Sequence, residues 1–388
     1  MQLHGEVENR SMPLFDTVCQ VKYRSGQINA SLVTFIALLH NLSLKEPIGN
    51  EYVAIIPDTD QRAKELFNIS SSLKRLVEGF TDQFGRKVAP SLLLVHPESP
   101  KGVLEQDALI AFRNALAICS VVYAWQESLV RKLSLNVLKY SNYFDLYPIT
   151  VGKEDDVLLI RSPSILGMDE PDEFVGQISP ELAPSHRVFR FFDVELHEAI
   201  LKLWHDKFIL ANNADWRSRV LFRALEMAYH ASSIPFENSS TIYDYGAKLA
   251  LWISAFEVLV RSENEQASLS KALQLLDEAK IYSRHLRQHR YTLVFSEKNK
   301  RRGTLSQQIY LSMHKARNNF LHGNPVGIRD LFIKKILGFH PLTSGAPILY
   351  KQALQSFLQV SRHKDISGYD YGQFADIRNF EEALSALV

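Results

Sequence analysis

TLSQQIYLSMHKARNNFLHG, residues 304 to 323, carries its own start and stop signals. Thr304 followed three residues later by Gln307 is a capping-box start, and Gly323 with Pro325 just beyond it ends the segment. The spacing therefore predicts one helix over 305–322. At about 100° per residue, Leu305, Ile309, Met313, Ala316 and Phe320 fall in an arc of about 80° and form an apolar stripe. On the other side His314, Asn318 and His322 follow one another at four-residue steps, with Tyr310 and Arg317 at one edge. Leu311 and Leu321 share that side, so it should be covered by another part of the chain or by a second copy. A two-fold contact there would bring two sets of Arg317, Asn318 and His322 together.

Around this segment the periodicity is helical from about 193 onward: 193–210, 213–232, 241–261, 267–280, 328–338, 346–362 and 378–387. The first half differs. VCQVKYR (18–24), EYVAIIP (51–57) and SLLLVHP (91–97) read as strands, with helical patterns over 60–80 and 104–133 between and after them. Residues 148–190 are broken by repeated Pro and Gly, with VLLI (157–160) and FVGQI (174–178) as short strands, and the domain junction is placed at their end. The expected architecture is multidomain α+β: a mixed α/β domain over 1–190 and an all-helical domain over 191–388.

Composition narrows the function classes. The 44 Lys and Arg against 43 Asp and Glu give a net charge of +1, which excludes a globally basic nucleic-acid binder and moves attention to local patches. Cys19 and Cys119 stand far apart without ligand spacing, so neither a disulfide framework nor a zinc site is expected, and a reduced, cytoplasmic setting fits. The start MQLHGEVENR is not a secretory signal, and the apolar runs LVTFIALL (32–39) and ALAICSVVYAW (115–125) are too short to cross a bilayer and read as core. No membrane partner, metal or cofactor is expected.

Arg317-Asn318, three further residues and His322 match the signature of the HEPN superfamily: an Arg, a polar residue, three residues and a His on one helix. YGAKLALWISAFEVLV (245–260), a smaller helix, and the exit FLHGNPV (320–326) are similar to the ApeA-like HEPN group, so the resemblance covers roughly 213–362. It implies a helical bundle whose motif helices meet across a dimer and form one RNA-cleaving cleft without metal. It also implies a toxin or antiviral defence effector, with RNA as partner, the first domain sensing a protein or phage trigger or restraining the nuclease, and Glu257 orienting the motif Arg. The competing reading is a non-catalytic HEPN module for dimerisation and for RNA or protein binding. Some members carry a Tyr two residues after the His as a modification site; Asn324 stands there in this chain.

The side chains suit such chemistry. Cleavage through the 2′-hydroxyl needs a base, an acid and positive charge over the phosphorane. His322 at a helix C-terminus can both accept and donate a proton, Arg317 offers a planar donor fork, and Asn318 can orient the imidazole or hold a phosphate oxygen, with His314 one turn before it. Equally, Arg317 and His322 could only bond the last free carbonyls. Glu257 lies in a nearly all-apolar helix and needs a partner, either Arg261 four residues on or the motif Arg. Residues 280–302 hold Lys280, Arg284, Arg287, Arg290, Lys298, Lys300, Arg301 and Arg302 against the single acid Glu297, with Tyr282, Tyr291 and Phe295 interleaved. Such a run can track RNA, or be a solvated basic loop. Arg284 and His289 repeat the Arg-x4-His spacing and serve as a decoy. His197-Glu198 lacks the second His of a zinc-protease helix, and Asp107, Arg113 and Asn114 read as internally bonded polar groups of a core helix.

Overall fold

The computed structural model describes residues 34–131, 137–147, 149–151, 158–160, 176–177, 183–190, 192–210, 216–234, 241–263, 266–278, 281, 283–334, 339–360 and 381–386. The strand expected over 18–24 lies outside them. The first half is built on an antiparallel sheet in the spatial order Thr34–Leu39, Ser91–Val95, Val53–Ile56, Ile48–Gly49. Helices α1 (Gln61–Ile69) and α2 (Ser71–Glu78) each start on a side-chain cap, Asp60 and Ser70. They cover one face, where Leu38, Ile56, Leu92 and Leu94 meet Leu66, Leu73, Leu76 and Phe80. Leu39, Val53, Ile55, Leu93 and Val95 face the other way, into a larger core that includes helix α3 (Gln106–Arg131). Burial on both faces explains why SLLLV is continuously apolar rather than alternating.

Helix α3, placed by its sequence position with the first 190 residues, packs against α5 (Val194–Phe208), α6 (Trp216–Ser233) and α11 (Leu342–Leu358). One continuous apolar core therefore runs from the sheet through α3 into the later helices. The Trp204 indole of α5 donates to the Ala108 carbonyl of α3 at 2.8 Å, pinning the crossing. Among the described residues α3 is the one helix long and apolar enough to cross a membrane, and 83% of its most apolar window is buried in this core. Of the polar groups expected in its core, Asp107 is instead exposed in the first turn, whereas Arg113 donates to the Asn114 side chain and the Tyr229 hydroxyl, both at 2.9 Å, and lies 3.6 Å from Asp145.

The second half is mostly helical. After the short α4 (Ser185–Arg190) come α5, α6, α7 (Ile242–Leu259), α8 (Leu269–Asp277), α9 (Arg284–Gln288), α10 (Leu305–Leu321) and α11. Helix α7 lies between α6 and α10, and α11 closes the core with Tyr350 beside Trp252 and Phe256, centroids 5.4 Å apart in each pair. The chain is thus a mixed α+β protein, a small antiparallel sheet with helices followed by mostly helices. A helix was expected over 328–338. Instead Ile328–Leu331 is a 3-10 turn, and Phe332–Lys334 pairs antiparallel with Phe339–Pro341. Apolar residues at 331, 333, 336 and 337 fit either period, and cross-strand pairing decides. Helix α11 begins at Leu342, before the expected 346, and closes on Gln359 in the left-handed region (φ 54). The basic run is not one loop: its first part forms α9, and Tyr291–Val294 pairs with Lys300–Gly303 as a hairpin.

Candidate functional site

Helix α10 forms where its capping signals place it. The Thr304 hydroxyl accepts from the Gln307 backbone N–H at 3.3 Å and the Gln307 side-chain oxygen Oε1 accepts from the Thr304 backbone N–H at 2.8 Å. Gln307 then donates to the Leu273 carbonyl of α8 (2.8 Å), and the Ser306 hydroxyl bonds Gln352 of α11 (2.6 Å), so the N-terminal half is locked on two neighbours. At the other end His322 is the C-cap, Gly323 turns left-handed (φ 69), and two backbone bonds, Gly323 to Phe320 and Asn324 to Asn319, close the helix. The loss of Gly at 323 would strain this stop.

Leu305, Ile309, Met313 and Ala316 are buried as the stripe requires, with Phe320 half-buried. The expectation for the opposite side divides. Leu311 is covered within its own chain, whereas Leu321 remains 56% exposed. Cover over His314 and Arg317 comes from α7, which contacts α10 along its length: Phe256 meets Tyr310 with centroids 4.9 Å apart, and at the far end Gly246 meets Phe320. A Cβ on Gly246 would lie 2.3 Å from the Phe320 ring, so only glycine permits this approach without a shift.

Between these contacts lies a polar cluster. Glu257 of α7 takes a 2.5 Å bond from the Arg317 guanidinium, which also donates to the Asn318 side chain at 2.9 Å. Asn318 bonds His314 at 3.3 Å, and the far nitrogen of His314 is 4.0 Å from the second Glu257 oxygen. Of the two partners weighed for Glu257, the fold selects Arg317; the Arg261 guanidinium lies over the Trp216 ring, 6.0 Å from its centroid. The Arg317 side chain is 16% exposed, and its Nε is buried with no hydrogen-bond partner among the described residues. Burial first, then the neighbouring Arg317, lowers the His314 pKa below the ordinary imidazole value, and Glu257 partly opposes them. Burial and then Glu257 push the Tyr310 phenol well above its usual range.

His322 stands apart from the cluster. Its backbone N–H bonds the Asn318 carbonyl (3.0 Å) while the residue is exposed, so the imidazole is open to solvent one turn beyond Asn318. The structure thus joins Glu257, His314, Arg317 and Asn318, and leaves His322 exposed at the end of the helix, one turn beyond Asn318.

Of the basic run, Lys280 lies outside the described residues and the other seven cations are exposed. Arg284 and Arg287 lie on α9, Arg290 is 3.6 Å from Asp277, and Lys298, Lys300, Arg301 and Arg302 belong to the hairpin and its turn. Arg301 lies 5.6 Å over the Phe295 ring, and Lys315 of α10 donates to the Val294 carbonyl, fixing the hairpin against the motif helix. Lys315 was not singled out in the sequence; its four-residue step to Asn319 gave no sign that a hairpin would lie there. The decoy His289 stacks on His285, 5.7 Å between centroids, on the exposed α9. His197 is buried against Phe192 (4.8 Å), and no metal-binding group of His, Cys, Asp or Glu occurs among the described residues.

A cavity of about 410 Å³ lies elsewhere around α10, lined by Ile309, Ser312, Lys315, Asn319, Arg329 and Phe332 among others, and contains none of Arg317, Asn318 or His322. Comparison with family models, with curated proteins and with solved structures finds no match.

Proposed function

We propose that the protein is a metal-independent endoribonuclease of HEPN type, cleaving RNA by attack of the 2′-hydroxyl in a site built by two copies of the chain. The observation that supports it best is the Glu257–Arg317–Asn318 arrangement, one turn from the exposed His322 on the same helix. Glu257 holds the guanidinium in one orientation, Arg317 meets the charge that builds on the phosphorane, and His322 moves the proton. The exposed Leu321 supports a two-fold contact near α10, and the basic hairpin fixed by Lys315 supplies a track for the phosphate backbone. A role as a toxin or antiviral defence effector, with a trigger read by the first half, rests on the resemblance alone.

A non-catalytic RNA- or protein-binding module is the second reading, and one observation favours it: Arg317 is mostly buried and its charge is already met by Glu257. The test is to incubate mixed RNA with the protein, with His322→Ala and with Arg317→Ala, all in EDTA. The nuclease reading expects fragments ending in 2′,3′-cyclic phosphate and 5′-hydroxyl, and losses of about 10²- to 10⁴-fold in each variant. His289→Ala should cost far less. Full activity in folded His322→Ala defeats the catalytic assignment, and RNA binding without cleavage by the wild type favours the binding module.

A further inference from the structure

Four side chains close into a ring between α7 and α10. Arg317 donates to one Glu257 oxygen at 2.5 Å and to Asn318 Oδ1 at 2.9 Å, Asn318 Nδ2 meets His314 Nδ1 at 3.3 Å, and His314 Nε2 faces the second Glu257 oxygen at 4.0 Å. Only one arrangement of protons satisfies this ring. A guanidinium donates and never accepts, so the Asn318 amide must turn its oxygen to Arg317 and its NH2 group to His314. That NH2 is a donor, so Nδ1 of His314 must accept, and the imidazole proton sits on Nε2, on the side of Glu257. The closed ring therefore holds His314 in one neutral tautomer. Among the described residues, the charged and titratable groups that face it are Glu257 from α7 and Arg317 and Tyr310 from α10. Burial and Arg317 favour the neutral imidazole and Glu257 opposes them, while the Tyr310 phenol, its own pKa raised by burial, carries no charge.

A proton taken up at Nδ1 would set two donors face to face. The Asn318 amide must then turn over to give its oxygen to the imidazolium, and its NH2 group comes to face a guanidinium that has no acceptor to offer. Arg317 keeps Glu257 and loses Asn318, and its buried Nε has no partner among the described residues to make up the loss. We propose that His314 is a positioning residue acting through the Asn318 amide: neutral, it keeps Arg317 aimed at the RNA phosphate, and protonated, it lets the guanidinium go, so that the site is gated by pH. The proposal rests on the reading of Arg317 as the group that meets phosphate. His314 needs no contact with RNA for this role, in keeping with a side chain only 17% exposed and enclosed by Glu257, Tyr310 and Asn318.

The experiment uses the full chain, isotope-labelled at the histidine and asparagine nitrogens. NMR without RNA should show neutral His314 with its proton on Nε2, and on acidification the Asn318 side-chain amide should shift with the same midpoint as the imidazole. Two variants carry the test into activity: His314→Asn places an oxygen near the position of Nδ1, an acceptor that takes up no proton, and His314→Leu removes the acceptor. Wild-type turnover of RNA should fall about ten- to hundred-fold as pH drops through the His314 midpoint, with KM little changed. That step should vanish in His314→Asn, and His314→Leu should show the low turnover on both sides of it. A neutral His314 with its proton on Nδ1 overturns the proposal, as does an imidazole that stays neutral down to the acid unfolding of the chain. So does an Asn318 amide that does not follow the titration, or the same step in folded His314→Asn as in wild type. The two readings fail separately: RNA bound but not cleaved by wild type removes the nuclease while the NMR result still decides the role of His314, and cleavage by a protein whose His314 carries its proton on Nδ1 does the reverse.

Discussion

Replacing Glu257 with Gln keeps the volume of the side chain and removes one charge from the cluster that positions Arg317. The geometry sets the size of the effect. The carboxylate is 33% exposed and the guanidinium 16%, joined at 2.5 Å, so the pair lies between an exposed ion pair, worth about 0.2–1 kcal/mol, and a buried one whose disruption costs about 3–5 kcal/mol. A loss of about 1–2 kcal/mol follows, since Asn318 still accepts from the guanidinium and solvent reaches the carboxylate side. In thermal unfolding of a chain of 388 residues this is a fall of about 1–2.5 °C in Tm. A second readout is independent of stability. Glu257 opposes the two influences that lower the His314 pKa, burial and Arg317, so in Glu257→Gln the imidazole should titrate lower still. NMR titration of the His314 ring, assigned through His314→Gln, measures it. If Arg317 acts on the phosphate, the turnover number should fall about ten- to hundred-fold with KM little changed, because the donor fork is displaced rather than removed. An unchanged Tm together with an unchanged His314 titration would refute the pairing of Glu257 with Arg317 in solution.

Charge removal at Lys300, Arg301 and Arg302 should weaken RNA binding and flatten its salt dependence, since each phosphate contact releases counterions; an unaltered slope assigns the hairpin to solvated surface. Acid stability should report on His197, whose pKa burial pushes down to about 4 despite the nearby Asp193. The folded pKa lies below the unfolded value near 6.5, so the unfolded chain binds the proton more tightly, and stability present above pH 6.5 is lost as pH falls toward 4. The loss amounts to about 3 kcal/mol at most. His197→Leu should flatten that part of a plot of urea midpoint against pH, and parallel curves for variant and wild type would contradict it.

What the sequence alone determined is local. Thr304, Gln307 and Gly323 specify the ends of α10 because capping and a left-handed stop are interactions within a few residues, and the stripe from Leu305 to Ala316 follows from helical periodicity. The strands Val53–Ile56 and Ser91–Val95 were legible for the same reason, as β-branched and apolar runs between turns. Tertiary structure decided the rest. It chose Arg317 over Arg261 as the partner of Glu257, because two helices distant in sequence pack side by side, and no spacing within either one encodes that meeting. It covered Leu311 and left Leu321 open, although both lie on one side of α10, because burial depends on which surface lies against each position in space. It paired 332–334 with 339–341 where the apolar pattern served helix and strand alike, through backbone bonds that no local spacing encodes. The sheet of the first half and α3 share a core with the later helices for the same physical reason: apolar surface is buried by whatever surface is available in space, without regard to its place along the chain.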